Sequence, residues 1–361
     1  MNFQADVCIV GAGPSGTLLA HLLAKKGLSV ILLEQSAALG QAFRGEHLNE
    51  EGEAVLKNHH LFEAIEVLGL LRMEKLEYYA KGEAFKTIFP DTSVGHLGIH
   101  VPQAHLLKGI LQHTAHFQNF KCFLNTKVTS LITDTAGRYV GVIATRDEEV
   151  IEIKSQLIIG ADGRYSTIRK RAHIAIQKQK HGFDLLWAKI PAPQGWEPAI
   201  KMALIDGMQL SLFSQTGGYI QIGWNIKQGD FPQLRKQAIT PFISQLIKAF
   251  PELEETVSHH IRSWQDFVLL DVFSSHCDCW GTQGLVLLGD AVHTMTPTGA
   301  FGLNSALKDA DCLASLLNKD AIQQFNVRDF QQLREQAIEE VLAQQIEKEQ
   351  TFAFHFIDQA S

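Results

Sequence analysis

The most constraining feature of this chain lies near its start. Val7-Cys8-Ile9-Val10 is a short, apolar run that reads as a buried strand, and Gly11-Ala12-Gly13-Pro14-Ser15-Gly16 comes directly after it. Thr17 to Lys26 then carries helical spacing, with Leu18, Leu19, Leu22 and Leu23 on one side, and Gly27 stops it. Leu28 to Leu33 is a second apolar strand, closed by Glu34 and Gln35. A strand, G-x-G-x-x-G, a helix, a strand and an acid about 20 residues past the glycines make a dinucleotide-binding unit. Gly11 permits the tight turn, Gly13 lets the backbone approach a pyrophosphate, and Gly16 lets helix and strand pack closely. Pro14 and Ser15 sit in the first helical turn, whose N–H groups and dipole favour phosphate. Glu34 suits ribose hydroxyls and disfavours a 2′-phosphate. The motif leaves NAD and FAD both open.

Bulk properties set wide limits. The 361 residues fit two domains or one large composite, and 45% hydrophobic against 20% charged content supports a sizeable core. A net charge of −7 argues against a nucleic-acid partner, although Arg164 and Arg169-Lys170-Arg171 form a local basic patch. Five cysteines, an odd and sparse set, point to reduced thiols and a cytoplasmic setting. Cys277 and Cys279, flanked by His276 and Asp278, lack a second ligand pair, so no metal is expected. No secretory signal is visible, and no run reaches the roughly 18 apolar residues of a transmembrane segment.

Two later stretches repeat the logic of a strand ending in an acid. Ser155 to Asp162, SQLIIGAD, runs into Gly163-Arg164-Tyr165-Ser166 and a short helix that Ser166 can cap. Gly284 to Asn304, GLVLLGDAVHTMTPTGAFGLN, places Gly289-Asp290 at a strand end and closes on a helix start. Gly160-Ala161-Asp162-Gly163 with Ser166 and Arg169 resembles one motif of the flavin-dependent aromatic hydroxylases. Gly289-Asp290-Ala291 with His293, Pro297, Gly299, Ala300, Gly302-Leu303-Asn304 and Asp309-Ala310 resembles another. With Gly11 to Glu34 they form an ordered three-part signature similar to that of the para-hydroxybenzoate hydroxylase family, the class A flavoprotein monooxygenases.

The resemblance implies an α/β fold: a Rossmann-like FAD-binding domain interleaved with a mainly antiparallel β-sheet substrate domain. Residues 1-72, 97-175 and 268-361 would form the first, and 73-96 and 176-267 the second. FAD would be held tightly without a covalent bond, with NADPH or NADH as a transient co-substrate and O₂ as oxidant. Gly11, Gly13, Pro14, Ser15, Gly16, Glu34 and Gln35 would hold the ADP half, Arg44 the phosphates, and Gln103 the linker. Asp162 would approach the pyrophosphate and Asp290 the ribitol or ribose hydroxyls, while Arg169 supports its loop. Pro297, Gly299, Gly302, Leu303 and Asn304 would wall the flavin, with the helix start offering N–H groups to negative charge at N1 and the C2 carbonyl.

Between the motifs, Phe183 to Lys189 and Lys201 to Ile226 alternate as strands, with turns at Asp206-Gly207 and Gly217-Gly218. Trp187, Leu212, Tyr219 and Trp224 are the pocket candidates, although alternation does not say which half faces a substrate. Phe330, Leu333, Ala337 and Val341 form an apolar stripe expected to pack on the FAD domain. By resemblance the chain hydroxylates or epoxidises an aromatic or lipophilic small molecule through a C4a-hydroperoxyflavin. Catalytic candidates are His47, Tyr219 and His293 as bases, with Pro297 beside the ring. His100 is a further base candidate. The alternatives are a flavin-dependent halogenase, whose W-x-W-x-I-P motif is missing from Gly223 to Ile226, an isoprenoid reductase, an NAD-dependent dehydrogenase, or a flavin-binding protein without turnover.

Overall fold

The computed structural model describes residues 1–40 and 45–359; Arg44 lies outside them. The chain gathers into two compact units, each built from separated segments. The first comprises Met1–Gly69, Pro102–Gln179 and Ser274–Ala343, and the second Leu70–Val101, Lys180–Phe273 and the chain from Gln344 on.

The core of the first unit is a parallel sheet in the order Leu285–Leu287, Glu149–Gly160, Asn2–Val10, Val30–Leu33, Phe120–Phe123. Val7, Cys8 and Ile9 are fully buried, as expected for a strand covered on both faces, where alternation gives way to a continuous apolar run. Helix Pro14–Lys25 buries every residue from Ser15 to Ala24. In register, Val10 pairs with Leu33 and with Gly160, and Gly160 with Leu287. These strands therefore end at one level. Gly11, Glu34, Ala161-Asp162 and Gly289-Asp290 leave from the same edge, the carboxyl edge where open α/β sheets bind ligands.

The second unit is a seven-stranded sheet in the order Val268–Leu270, Phe183–Pro191, Tyr219–Lys227, Met208–Gln215, Ala199–Ile205, Lys75–Ala80, Glu83–Ile88. Only the pairing of Ala199–Ile205 with Lys75–Ala80 is parallel. Asp206 and Gly207 both take positive φ (49° and 76°), the conformation a two-residue hairpin of this hand requires. One face carries Leu186, Ala188, Leu210, Leu212, Ile222 and Trp224 and packs in one core with Ile243, Leu246, Leu253 and Val257, from Thr240–Ala249 and the short helices after it. The opposite face carries Leu185, Trp187, Ser211, Phe213, Gln221 and Gly223. This corrects two pocket candidates. Leu212 and Trp224 belong to the helix-covered core, with Trp224 stacked on Phe242 at 3.6 Å between centroids.

The C-terminal segment departs from expectation as well. From Gln344 on the chain groups with the second unit, because Phe356 packs against Tyr78 and Phe85 at 5.8 and 5.5 Å. Val268 to Phe273 groups there too, through the pairing of Val268–Leu270 with the strand at Phe183. The buried side of helix Val327–Thr351 is Phe330, Arg334, Ile338 and Gln345; Leu333 is 60% exposed. No helix among the described residues is long and apolar enough to cross a membrane.

Candidate functional site

The glycine turn is shaped by the protein at two positions and by something else at a third. Gly11 takes φ +103°, and a Cβ there would run into the Ala161 carbonyl. A Cβ on Gly16 would overlap the Gly11 carbonyl oxygen and crowd Ala161. Gly13 has an ordinary φ of −72°, and a Cβ there would meet no protein atom within 4 Å. Nothing in the chain itself demands glycine at 13, so the free backbone surface fits a close-lying diphosphate. No side chain caps helix Pro14–Lys25 and no acid lies in its first turn, which suits an anion at its start.

Glu34 braces this turn. Its Oε2 accepts from the Ala12 N–H and its Oε1 from the Ser36 N–H, both at 2.9 Å. Each oxygen keeps a second lone pair for a ligand hydroxyl. Gln35 and Ser36 line a cavity of about 460 Å³ with Asn125, Lys127, Thr145 and Asp147. Gln103 opens helix Gln103–Thr114, and its N–H donates to Glu46 Oε1 at 2.8 Å.

Asp162 directs both oxygens into the chain. Oδ1 accepts from the Ser166 hydroxyl (2.5 Å), and Oδ2 from the Thr167 and Ile168 N–H groups (2.6 and 3.0 Å). Burial pushes this carboxyl up, against those hydrogen bonds. Its geometry is that of a loop anchor, which leaves ligand contact to the backbone around it. Arg169, expected to support a loop, is 3% exposed and donates to the carbonyls of Ala291 (2.6 Å) and Arg164 (2.9 Å).

Past the strand Leu285–Leu287 the chain makes a single 3₁₀ turn over Gly289–Ala291, and the next turn covers Thr298–Ala300. Gly299 has φ +74° and Ala300 φ +54°. A left-handed alanine costs about 1–2 kcal/mol, and here it aims the start of helix Phe301–Leu316, which again has no side-chain cap and no acid in its first turn. A Cβ on Gly302 would have only Asp290 Oδ1 (3.9 Å) and Met295 (4.0 Å) near it. Asp290, Gly302 and the half-buried Leu303 thus lie together. Pro297 is half-buried and accepts the Ala300 N–H at 3.1 Å.

The base candidates fare differently. His293 is 2% exposed, with Nε2 on Asp309 at 2.6 Å, so it is held within the protein. The His47 carbonyl accepts from Asn304 Nδ2 (3.1 Å), which ties it to the helix start. Tyr219 is 41% exposed in the second unit under Lys189 Nζ (4.6 Å to the ring), and His100 Nδ1 accepts from the Thr216 N–H (3.1 Å). Two features are not evident in the sequence pattern. One is the ion pair of Asp309 with Arg334, 2.8 Å apart. The other is Gln215 and Gln221, 3% and 7% exposed and joined at 2.5 Å. Asp309 and Arg334 sit at apolar-periodic helical positions, the one signal that marks them in sequence, whereas Gln215 and Gln221 fall on the less apolar alternation of their strands.

A parallel sheet whose strand ends share one edge with two uncapped helix starts fits a dinucleotide-binding protein, and the comparisons narrow this to one family. The chain matches the model of the FAD binding domain over residues 4–322. It is 31% identical over 310 residues to 6-methylpretetramide 4-monooxygenase of Streptomyces rimosus, covering 85% of this chain and 73% of the relative. The FAD-dependent monooxygenase ptmM of Penicillium ochrochloron is 28% identical over 343 residues, covering 86% and 78%. Two solved structures share the fold. P. aeruginosa PqsL in complex with 2-aminobenzoylacetate has a TM-score of 0.81 at 20% identity, covering 98% and 99%. The p-nitrophenol 4-monooxygenase PnpA of Pseudomonas putida DLL-E4 has 0.79 at 17%, covering 97% and 89%. The chain belongs to the FAD-binding monooxygenase family: it is an FAD-dependent enzyme, and FAD is its cofactor.

Proposed function

We propose that the chain hydroxylates an aromatic small molecule bearing a hydrogen-bond-accepting oxygen, with NAD(P)H and O₂ as co-substrates. The observation that carries this reading is a buried pair of side-chain amides set among aromatic residues on one sheet face of the second unit. Trp187, Phe213 and Gly223 share that face with the Gln215–Gln221 pair. Gln215 Nε2 donates to Gln221 Oε1, so the Gln221 amide keeps its N–H donors for a carbonyl or phenolate oxygen. On that face Gly223 presents no side chain, and a Cβ added there would make only ordinary contacts, at 3.6 Å or more. The names of the relatives, among them 6-methylpretetramide and p-nitrophenol, support this class of substrate.

On this reading Gly11, Gly13, Pro14, Ser15 and Gly16 take the pyrophosphate, Glu34 and Gln35 the adenosine end, and Asp290 the linking hydroxyls. The free N–H groups at the start of helix Phe301–Leu316, those of Gly302 and Leu303, would serve the flavin ring, with Asn304 holding that start in place. Bound FAD supplies hydride acceptance and oxygen activation. The chain contributes placement: the left-handed Gly299-Ala300 step fixes the helix start, and Pro297 stiffens the wall beside it. No side-chain base is assigned, since His293 is held by Asp309. The five free thiols support a reducing, cytoplasmic setting. The test is NAD(P)H oxidation and O₂ uptake by the FAD-loaded protein, with 6-methylpretetramide, p-nitrophenol and a ring-free isoprenoid compared. Stimulation by the aromatics, with a product one oxygen atom heavier, is expected. Stimulation by the isoprenoid alone, or a product that forms only with chloride, would overturn the reading.

A further inference from the structure

Arg334 lies beyond residues 4–322, the stretch the family model matches, yet it reaches back into that stretch. Its Nε donates to Asp309 Oδ1 at 2.8 Å. Asp309 is fully buried on helix Phe301–Leu316, and Arg334 is 7% exposed. The second oxygen of Asp309 accepts from His293 Nε2 (2.6 Å) and from the Gly289 N–H (3.3 Å). His293 Nδ1 is buried and has no hydrogen-bond partner among the described residues, so Asp309 is the one hydrogen-bond anchor of that ring. One carboxylate therefore ties together the Gly289-Asp290 turn, the strand after it, the helix that begins at Phe301, and helix Val327–Thr351.

A buried carboxylate tolerates this position only when its charge is met. Burial alone would raise its carboxyl; His293 and Arg334 outweigh burial and hold it below the usual carboxylate range. Without the guanidinium, Asp309 would be left with one partner for its charge, and its grip on the Gly289 N–H would loosen as the carboxyl sought a proton or water. Gly289 is adjacent to Asp290 and Gly302 is on the same helix as Asp309, so the loosening would act on both edges of the flavin site.

We propose that Arg334 is a positioning residue for the flavin site, holding the Gly289-Asp290 turn in register with the start of helix Phe301–Leu316 through Asp309. This rests on the reading of that turn as an FAD-binding edge. In Arg334→Met the dissociation constant for FAD, measured by titrating the apoprotein, should rise about tenfold or more. The midpoint potential of the bound flavin should shift away from the wild-type value. Arg334→Lys, which restores a cation, should bring both back toward wild type. Should the methionine variant not fold, Arg334→Gln, which keeps a donor without the charge, takes its place in the same two measurements. A variant with lower melting temperature but wild-type FAD affinity and potential would overturn the proposal, since Arg334 would then be structural only. A wild-type protein that binds FAD normally but in which Asp290→Ala has no effect on FAD would instead overturn the reading of the turn.

Discussion

Asn304 accepts the Asn49 N–H at its side-chain Oδ1 (3.0 Å) and donates through Nδ2 to the carbonyls of His47 (3.1 Å) and Ala300 (2.9 Å). One amide thereby joins the segment before helix Glu50–Asn58 to the start of helix Phe301–Leu316. Its side chain is occupied by the protein, and its N–H, the fourth of helix Phe301–Leu316, is taken by the first helical turn. Asn304→Ala would remove the side-chain partner of one half-buried donor and two half-buried acceptors. A loss of about 2–4 kcal/mol is expected, read from urea denaturation of the apoprotein. A loss below about 0.5 kcal/mol would mean that water replaces the amide.

Gly13 and Gly16 separate cofactor from fold. Gly13→Ala places its methyl where no protein atom lies within 4 Å, at an ordinary φ. The apoprotein should keep its stability to within about 1 kcal/mol, while FAD affinity falls about a hundredfold, or ~2.7 kcal/mol. Gly16→Ala meets the Gly11 carbonyl and should destabilise the apoprotein itself by about 1–3 kcal/mol. Thermal melts with and without FAD distinguish the two. Equal loss of apoprotein stability in both variants would remove the pyrophosphate assignment.

The legible parts of this chain are those where local chemistry has one solution. Val7 to Glu34 reads correctly because an apolar strand, three glycines and an acid leave little else to build, and the left-handed Asp206-Gly207 pair marks its own hairpin. Long-range partners were invisible. The stripe read as Phe330, Leu333, Ala337, Val341 is in fact Phe330, Arg334, Ile338, Gln345, because two polar residues are buried and shift the apparent face. Arg334 is buried because Asp309 meets its charge, and no local pattern encodes that pairing. Alternation found the strand bearing Trp224 but could not say which face helix Thr240–Ala249 would cover.

That ambiguity sets a paired prediction. Gln221→Leu removes a donor from the sheet face opposite the helices and should raise KM for an oxygen-bearing aromatic substrate about tenfold, with FAD affinity unchanged. Trp224→Ala empties a site in the helix-covered core and should lower stability by about 3–5 kcal/mol while leaving substrate preference alone. Steady-state kinetics over several ring compounds, with melting curves alongside, give both readouts. A change of substrate preference in Trp224→Ala, with none in Gln221→Leu, would exchange the roles of the two faces.

His21 makes the fold sensitive to mild acid. It is 4% exposed, its Nδ1 lies 3.1 Å from the Thr114 hydroxyl, and that hydroxyl donates to the Ile110 carbonyl at 2.7 Å, so the imidazole donates to the oxygen. Burial, aided by Lys25, pushes the imidazole from 6.5 down to about 4. The unfolded chain therefore binds this proton more readily than the folded one. Stability from this group is complete above pH 6.5 and is lost as pH falls toward 4, by about 1.4 kcal/mol per unit and roughly 3 kcal/mol in all. Asp309, held below its ordinary 3.8, adds its own loss only at lower pH. His21→Leu keeps the Thr114 to Ile110 hydrogen bond and should flatten the slope between pH 6.5 and 4, with stability at pH 8 changed by about 1 kcal/mol or less. Urea midpoints taken across that range measure it, and a variant whose acid slope matches wild type would assign the effect to other groups.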